Sequence, residues 1–265
     1  MGAVSSSFYI SQKSAPIGTL KEPISARSYA EFAAERALVS EMPSSTPSDR
    51  IPATTPSLPS GIPSTTVPPA ITPLQHLPKT INLYIPFTAQ APHANWEAPY
   101  KEFCEEASAL MVERYLAGKA ILDADDANTR MLQIKAFEEQ RFGYYEDTSA
   151  AETAIILREH LGILGVELIS NPAIDDIKNA LAQGKAVIMP AAGRMLNNPY
   201  YRQPGPLYHM LVIKGYTADG KFITNDPGTR RGADFTYDQD TLMRAMHDWN
   251  DGDVEHGSTV IITAG

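Results

Sequence analysis

Apolar residues along this chain fall into two regimes. From Lys79 onward they recur at spacings that specify elements, and before it they mostly do not. Phe103, Ala107, Leu110, Met111 and Tyr115 recur at three and four positions, which predicts an amphipathic helix over 100–116 that stops at Gly118. The same spacing predicts helices over 128–139, 149–161 and 174–182. Short apolar runs bounded by turn residues predict strands over 83–86, 166–169, 186–189, 208–216, 222–225 and 258–263. Helices dominate the first part and strands the second, which predicts an α+β fold rather than a doubly wound α/β sheet.

Ahead of these elements the pattern thins out. Residues 28–39 could form a short helix with Ser28 as N-cap, of marginal length without a surface to pack on. Residues 43–73 hold 9 Pro, 6 Ser and 6 Thr among 31 positions, with only Asp49 and Arg50 charged. That composition cannot build a core and reads as an extended, disordered tether. The expected division is therefore 1–80 as N-terminal segment and linker, and 81–265 as one folded domain. The linker suggests an extracellular or cell-surface setting, although no signal peptide is visible at the N-terminus.

Composition narrows the function. A net charge of -9, with no long basic stripe, argues against nucleic acid as a partner. No apolar run approaches the ~20 residues that span a bilayer. The histidines show no metal-ligand spacing with the cysteine or with one another, and the acidic clusters at Asp123–Asp126 and Asp251–Glu255 fail the calcium-loop pattern, so no metal or cofactor is expected. The chain is expected to be monomeric.

The single cysteine, Cys104, lies at the start of the 100–116 helix, where the helix dipole favours a thiolate. Glu105 and Glu106 follow it; facing the thiol they would raise its pKa, and pointing to solvent they would only complement the dipole. His209 lies in Leu207–Ile213, an apolar run that reads as an interior strand, so its ring requires a polar partner. A hairpin turning at Asp219-Gly220 would bring Asn225 or Asp226 beside it. Gln90, fourteen residues before Cys104, could join the Cys104 backbone N–H as an oxyanion donor.

In this order, Gln90, Cys104, His209, Asp226, the chain resembles the papain-like clan of cysteine peptidases, and most of all cysteine peptidase family thirty-nine, typified by double-glycine peptidases that process bacteriocin leaders. The resemblance rests on Ile85-Pro86-Phe87 with Gln90, Cys104-Glu105-Glu106-Ala107-Ser108, the 208–216 strand, and Asn225-Asp226-Pro227-Gly228-Thr229. It implies a papain-like fold over roughly 81–263, a Cys104/His209/Asp226 triad with Gln90 as oxyanion donor, and a peptide or protein substrate. Asp226 is preferred to Asn225 because the family shows an Asp-Pro pair and because adjacent strand residues face opposite ways. Glu105 stands where the family usually has glycine, and the Gln90–Cys104 interval carries an inserted loop with Trp96. Trp96, Asn197, Tyr200 and Tyr208 are expected to line the cleft. The expected function is thiol-dependent hydrolysis of a peptide or amide bond. The alternatives are acyl or peptidyl transfer by the same residues, and a catalytically silent domain that binds peptide or cell-wall polymer.

Overall fold

The computed structural model describes residues 27, 28, 30, 31, 34 and 77–265. The 43–73 tether and most of the expected 28–39 helix lie outside the described residues. At that helix's start, Ser28 Oγ accepts the Glu31 N–H at 3.3 Å and Glu31 returns the bond to the Ser28 N–H, the reciprocal pairing of an N-terminal cap. Arg27 adds a parallel bridge beside Leu83, its N–H donating to the Asn82 carbonyl at 2.7 Å.

The described residues form a seven-stranded antiparallel sheet. Its strands are β1 (Ile81–Asn82), β2 (Val166–Ser170), β3 (Ala186–Ala192), β4 (Tyr208–Tyr216), β5 (Lys221–Asn225), β6 (Phe235–Asp238) and β7 (Val260–Ala264). They run in the order β2-β7-β3-β4-β5-β6, with β1 paired to the end of β4. The helices are α1 (Cys104–Leu116), α2 (Ala124–Arg141), α3 (Ala150–Ile155), α4 (Ile174–Ala182) and α5 (Gln239–Ala245). Helices α1 to α3 precede most of the sheet, the α+β order the sequence pattern predicts. Every residue of β3 and β4 is buried, because α1 packs on both strands, α4 packs on both, and α5 packs on β3. This explains why both strands are apolar throughout rather than alternating.

Several boundaries differ from the pattern. The helix expected from residue 100 starts at Cys104: Tyr100–Glu102 forms a 3-10 turn, and Phe103 breaks away with φ -91° and ψ 26°. The expected 83–86 strand is displaced to Ile81–Asn82. Helix 149–161 is capped by Ser149 as a capping box with Glu152, but after Ile155 it widens into a π-helical turn, Ile156–His160. Strand β6 and helix α5 had no pattern to announce them, being four and seven residues long.

The β4–β5 hairpin positions the site. Its register carries a one-residue bulge between Ile213 and Gly215, after which Val212 faces Asn225. The strand then ends where Asp226 meets the start of β4.

Candidate active site

His209 enters from β4 and Asp226 from the end of β5. His209 Nε2 lies 2.9 Å from Asp226 Oδ1, with both side chains buried. The same Oδ1 accepts the Gly228 N–H at 3.0 Å. Oδ2 accepts Asn198 Nδ2 at 3.0 Å, Tyr201 OH at 2.7 Å and Tyr237 OH at 2.5 Å. Burial alone would raise this carboxyl, but His209 and the Tyr237 and Tyr201 hydroxyls outweigh it and hold the pKa below the usual value. Burial and the Asp226 charge in turn push both tyrosines well upward, so they remain donors. An ionised Asp226 can only accept, so Nε2 is the ring nitrogen that donates to it and Nδ1 is left free of the carboxylate. Tyr201 also packs edge-on against the His209 ring, centroids 5.5 Å apart.

The loop after Asp226 is wound tightly around it. The Asp226 N–H donates to the Gly232 carbonyl at 3.0 Å. A Cβ on Gly232 would fall 1.7 Å from the Asp226 carbonyl oxygen, and one on Gly228 would fall 2.9 Å from His209 Cε1. Both positions demand glycine because backbone or ring occupies the space a side chain would need.

Cys104 is the first residue of α1 and is 5% exposed. Its Sγ lies 3.0 Å from Glu105 Oε2, and no hydrogen bond joins it to His209 among the described residues. Burial first, then the charge and hydrogen bond of Glu105 and the charge of Glu106, push the thiol pKa well above its ordinary value; the Met210 backbone pulls the other way. The reading of Glu105 and Glu106 as solvated dipole partners is therefore overturned. Both are buried, because α1 is enclosed on nearly every side and its first turn is enclosed with it. Burial raises both carboxyls well above the usual range. Burial raises Glu138 of α2 to about 8, and its charge, with that of Glu105, adds to burial in lifting Glu106.

Cys104, His209 and Gln90 line one cavity of about 290 Å3, together with Tyr208 and Asp147. Burial, then the charges of Glu102 and Glu146, push Asp147 up to about 6. Gln90 Nε2 donates to the carbonyls of Tyr100 and Lys101, each at 2.9 Å, tying down the 3-10 turn that leads to Cys104. A wider cavity of about 610 Å3 shares Gln90, Lys101 and Pro206 with the first and is walled by Trp96 and Tyr200. Tyr208 is anchored by its hydroxyl, which donates to Asp248 Oδ1 at 3.0 Å.

Asn197 does not line either cavity. It is exposed, closes the 3-10 turn Gly193–Leu196 in a left-handed conformation (φ 51°), and bonds back to the Met195 carbonyl. Its neighbour Asn198 is the one turned inward, donating to both Asp226 and the Tyr237 hydroxyl. Asn198, Tyr201 and Tyr237 are donors to Asp226, a role that the sequence did not reveal for any of them. Tyr237 lies on the four-residue strand β6, too short for a period to single it out.

Among the curated proteins, none matches the sequence. Among solved structures, a putative C39-like peptidase from Bacillus anthracis superimposes with a TM-score of 0.48 at 14% identity, over 70% of this chain and 97% of that one. A prointerpain A fragment from Prevotella intermedia gives a TM-score of 0.36 at 17% identity, over 52% of this chain and 41% of that one. The Peptidase_C39-like family matches residues 82–251, which encompass Gln90, Cys104, His209 and Asp226, and the chain belongs to that family.

Proposed function

We propose that this peptidase-like protein hydrolyses peptide or amide bonds through Cys104, His209 and Asp226. The observation that carries the reading is the buried His209–Asp226 pair, its Nδ1 left free of the carboxylate and its ring in the wall of the cavity that Cys104 also lines. The raised thiol pKa makes the resting nucleophile a thiol rather than a thiolate. Catalysis then begins with rotation of Sγ from Glu105 toward the ring, a reach that tightens on substrate binding. His209 Nδ1 takes the thiol proton as sulfur attacks the carbonyl carbon. The Cys104 N–H and Gln90 stabilise the oxyanion, Gln90 giving up one of its two carbonyl partners. His209 protonates the leaving amine, and water, deprotonated by His209, clears the acyl-enzyme. An amine in place of water would turn the same steps into transfer. The substrate is expected to be a peptide or protein, and the surface setting suggested by the 43–73 linker belongs to the same proposal.

A second reading, a binding domain without turnover, is favoured by one observation: the thiol is bonded to a buried acid rather than to the histidine. The rate of Cys104 alkylation against pH, in wild type and in His209→Ala, decides between them. Hydrolysis requires a rate that depends on His209 and peptide cleavage that disappears in Cys104→Ala. A thiol that ignores the histidine leaves only the binding domain.

A further inference from the structure

The wall of the wider cavity is charged against the trend of the molecule. The chain carries a net charge of -9, yet Arg202, Arg230 and Arg231 all border this cavity, against Glu97 as the one acidic residue there. Lys101 also borders it but is spoken for by Glu102, 2.9 Å away. The three arginines form no ion pair among the described residues. Nor are Arg230 and Arg231 loosely placed. They sit in the loop whose two ends are fixed on Asp226, through the Gly228 N–H on its carboxylate and the Asp226 N–H on the Gly232 carbonyl. The Arg231 N–H is held by Thr229 Oγ1 at 3.2 Å, and its guanidinium lies over the Tyr200 ring at 4.8 Å. Stacking of this kind keeps a guanidinium in one plane with its N–H fork available. Gln90, Lys101 and Pro206 line both this chamber and the cavity of Cys104 and His209, which places the two side by side.

We propose that this arginine chamber is a substrate subsite for carboxylate groups, held beside the scissile bond while its carbonyl sits at Cys104. The proposal rests on the peptidase reading for the identity of the neighbouring cavity. Planar, bidentate donors that no acid among the described residues pairs with select carboxylates over neutral isosteres. The carboxylate can come from an Asp or Glu side chain within a peptide or from a free chain terminus.

Binding to the Cys104→Ala protein tests the subsite without requiring turnover. Three fluorescent peptide pools serve as probes: Asp/Glu-containing and amidated, the Asn/Gln isosteres amidated, and the same isosteres with a free C-terminal carboxylate. The expected result is that one carboxylate pool binds about tenfold tighter than the amidated isosteres, the worth of a charge-assisted pair, with an advantage that shrinks at high salt. Which pool wins identifies the source. Adding Arg230→Gln and Arg231→Gln brings that ratio toward one, whereas Lys185→Gln, at the base of β3, leaves it in place. Equal binding of all three pools, or a ratio unmoved by the arginine changes, overturns the subsite. Wild-type cleavage without charge preference sinks the subsite and keeps the peptidase reading. Charge-selective binding with no cleavage of any pool does the reverse.

Discussion

Two buried carboxylate environments flank the residues of this site, one beside His209 and one beside Cys104, and they have opposite fates. Asp226 is fully enclosed yet stays ionised, because His209, the Gly228 N–H, Asn198, Tyr201 and Tyr237 all donate to it. Glu105, Glu106 and Glu138 are enclosed to a similar degree, yet Glu105 Oε1, both Glu106 oxygens and Glu138 Oε2 find no conventional donor among the described residues. Their pKa values rise instead, Glu138 to about 8. Burial alone therefore does not decide the charge of an acid; the supply of donors does. One half of the site is built to keep a negative charge, and the other to suppress it beside the thiol.

The contrast can be broken from either side. Asp226→Asn removes the charge that orients and supports the His209 ring. It is expected to lower turnover by roughly 10³- to 10⁴-fold, as loss of a triad acid does, read as kcat on a cleaved peptide and as loss of the histidine-dependent step in Cys104 alkylation. Gln90→Ala should cost about 10²- to 10³-fold in kcat if its amide serves the oxyanion; a fall in thermal stability with kcat unchanged would assign it to the 3-10 turn alone.

The acidic side is tested by pH. Glu138 has a folded pKa above its unfolded value, so its stabilising protonation is complete below about pH 4.5 and is lost as pH rises through about 8. Denaturant unfolding of the wild type should therefore weaken between pH 5 and pH 8. Glu138→Gln should flatten that slope and gain on the order of 2–4 kcal/mol at pH 8. The smallest effect is expected from Glu105→Gln, which removes the ionisable acid and retains its shape beside Sγ. The thiol pKa should fall and alkylation at neutral pH should quicken about tenfold, one pKa unit being that factor; an unchanged rate would mean that Glu105 is already protonated there.

Much of the sheet was legible because its centre is unambiguous. The run Tyr208–Tyr216 is apolar on both faces and closed by Asp219-Gly220, so the sequence pattern predicts both its ends correctly, and the same holds for the strongly amphipathic Ile174–Ala182. Strand β6 and helix α5 are too short for a period to show. The site divides in the same way. Local motifs point to Cys104, His209 and Asp226, but Asn198 and Tyr201 reach Asp226 across 28 and 25 residues, a proximity that only tertiary packing creates. The burial of Glu105 and Glu106 left one overlooked trace. Ala109 and Val112 are apolar on the side of α1 away from the expected stripe, which marks a helix enclosed all round.

Gln90 also touches both halves of the molecule at once. Its backbone N–H donates to the Pro227 carbonyl at 3.0 Å, on the loop that carries Asp226, while its side chain holds the turn that delivers Cys104. Mechanically it is a rivet through two plates. Any widening of the cleft to admit a bulky chain must pivot about this residue or shear one of its ties, so the gap between Cys104 and Asp226 is governed by a residue that belongs to neither.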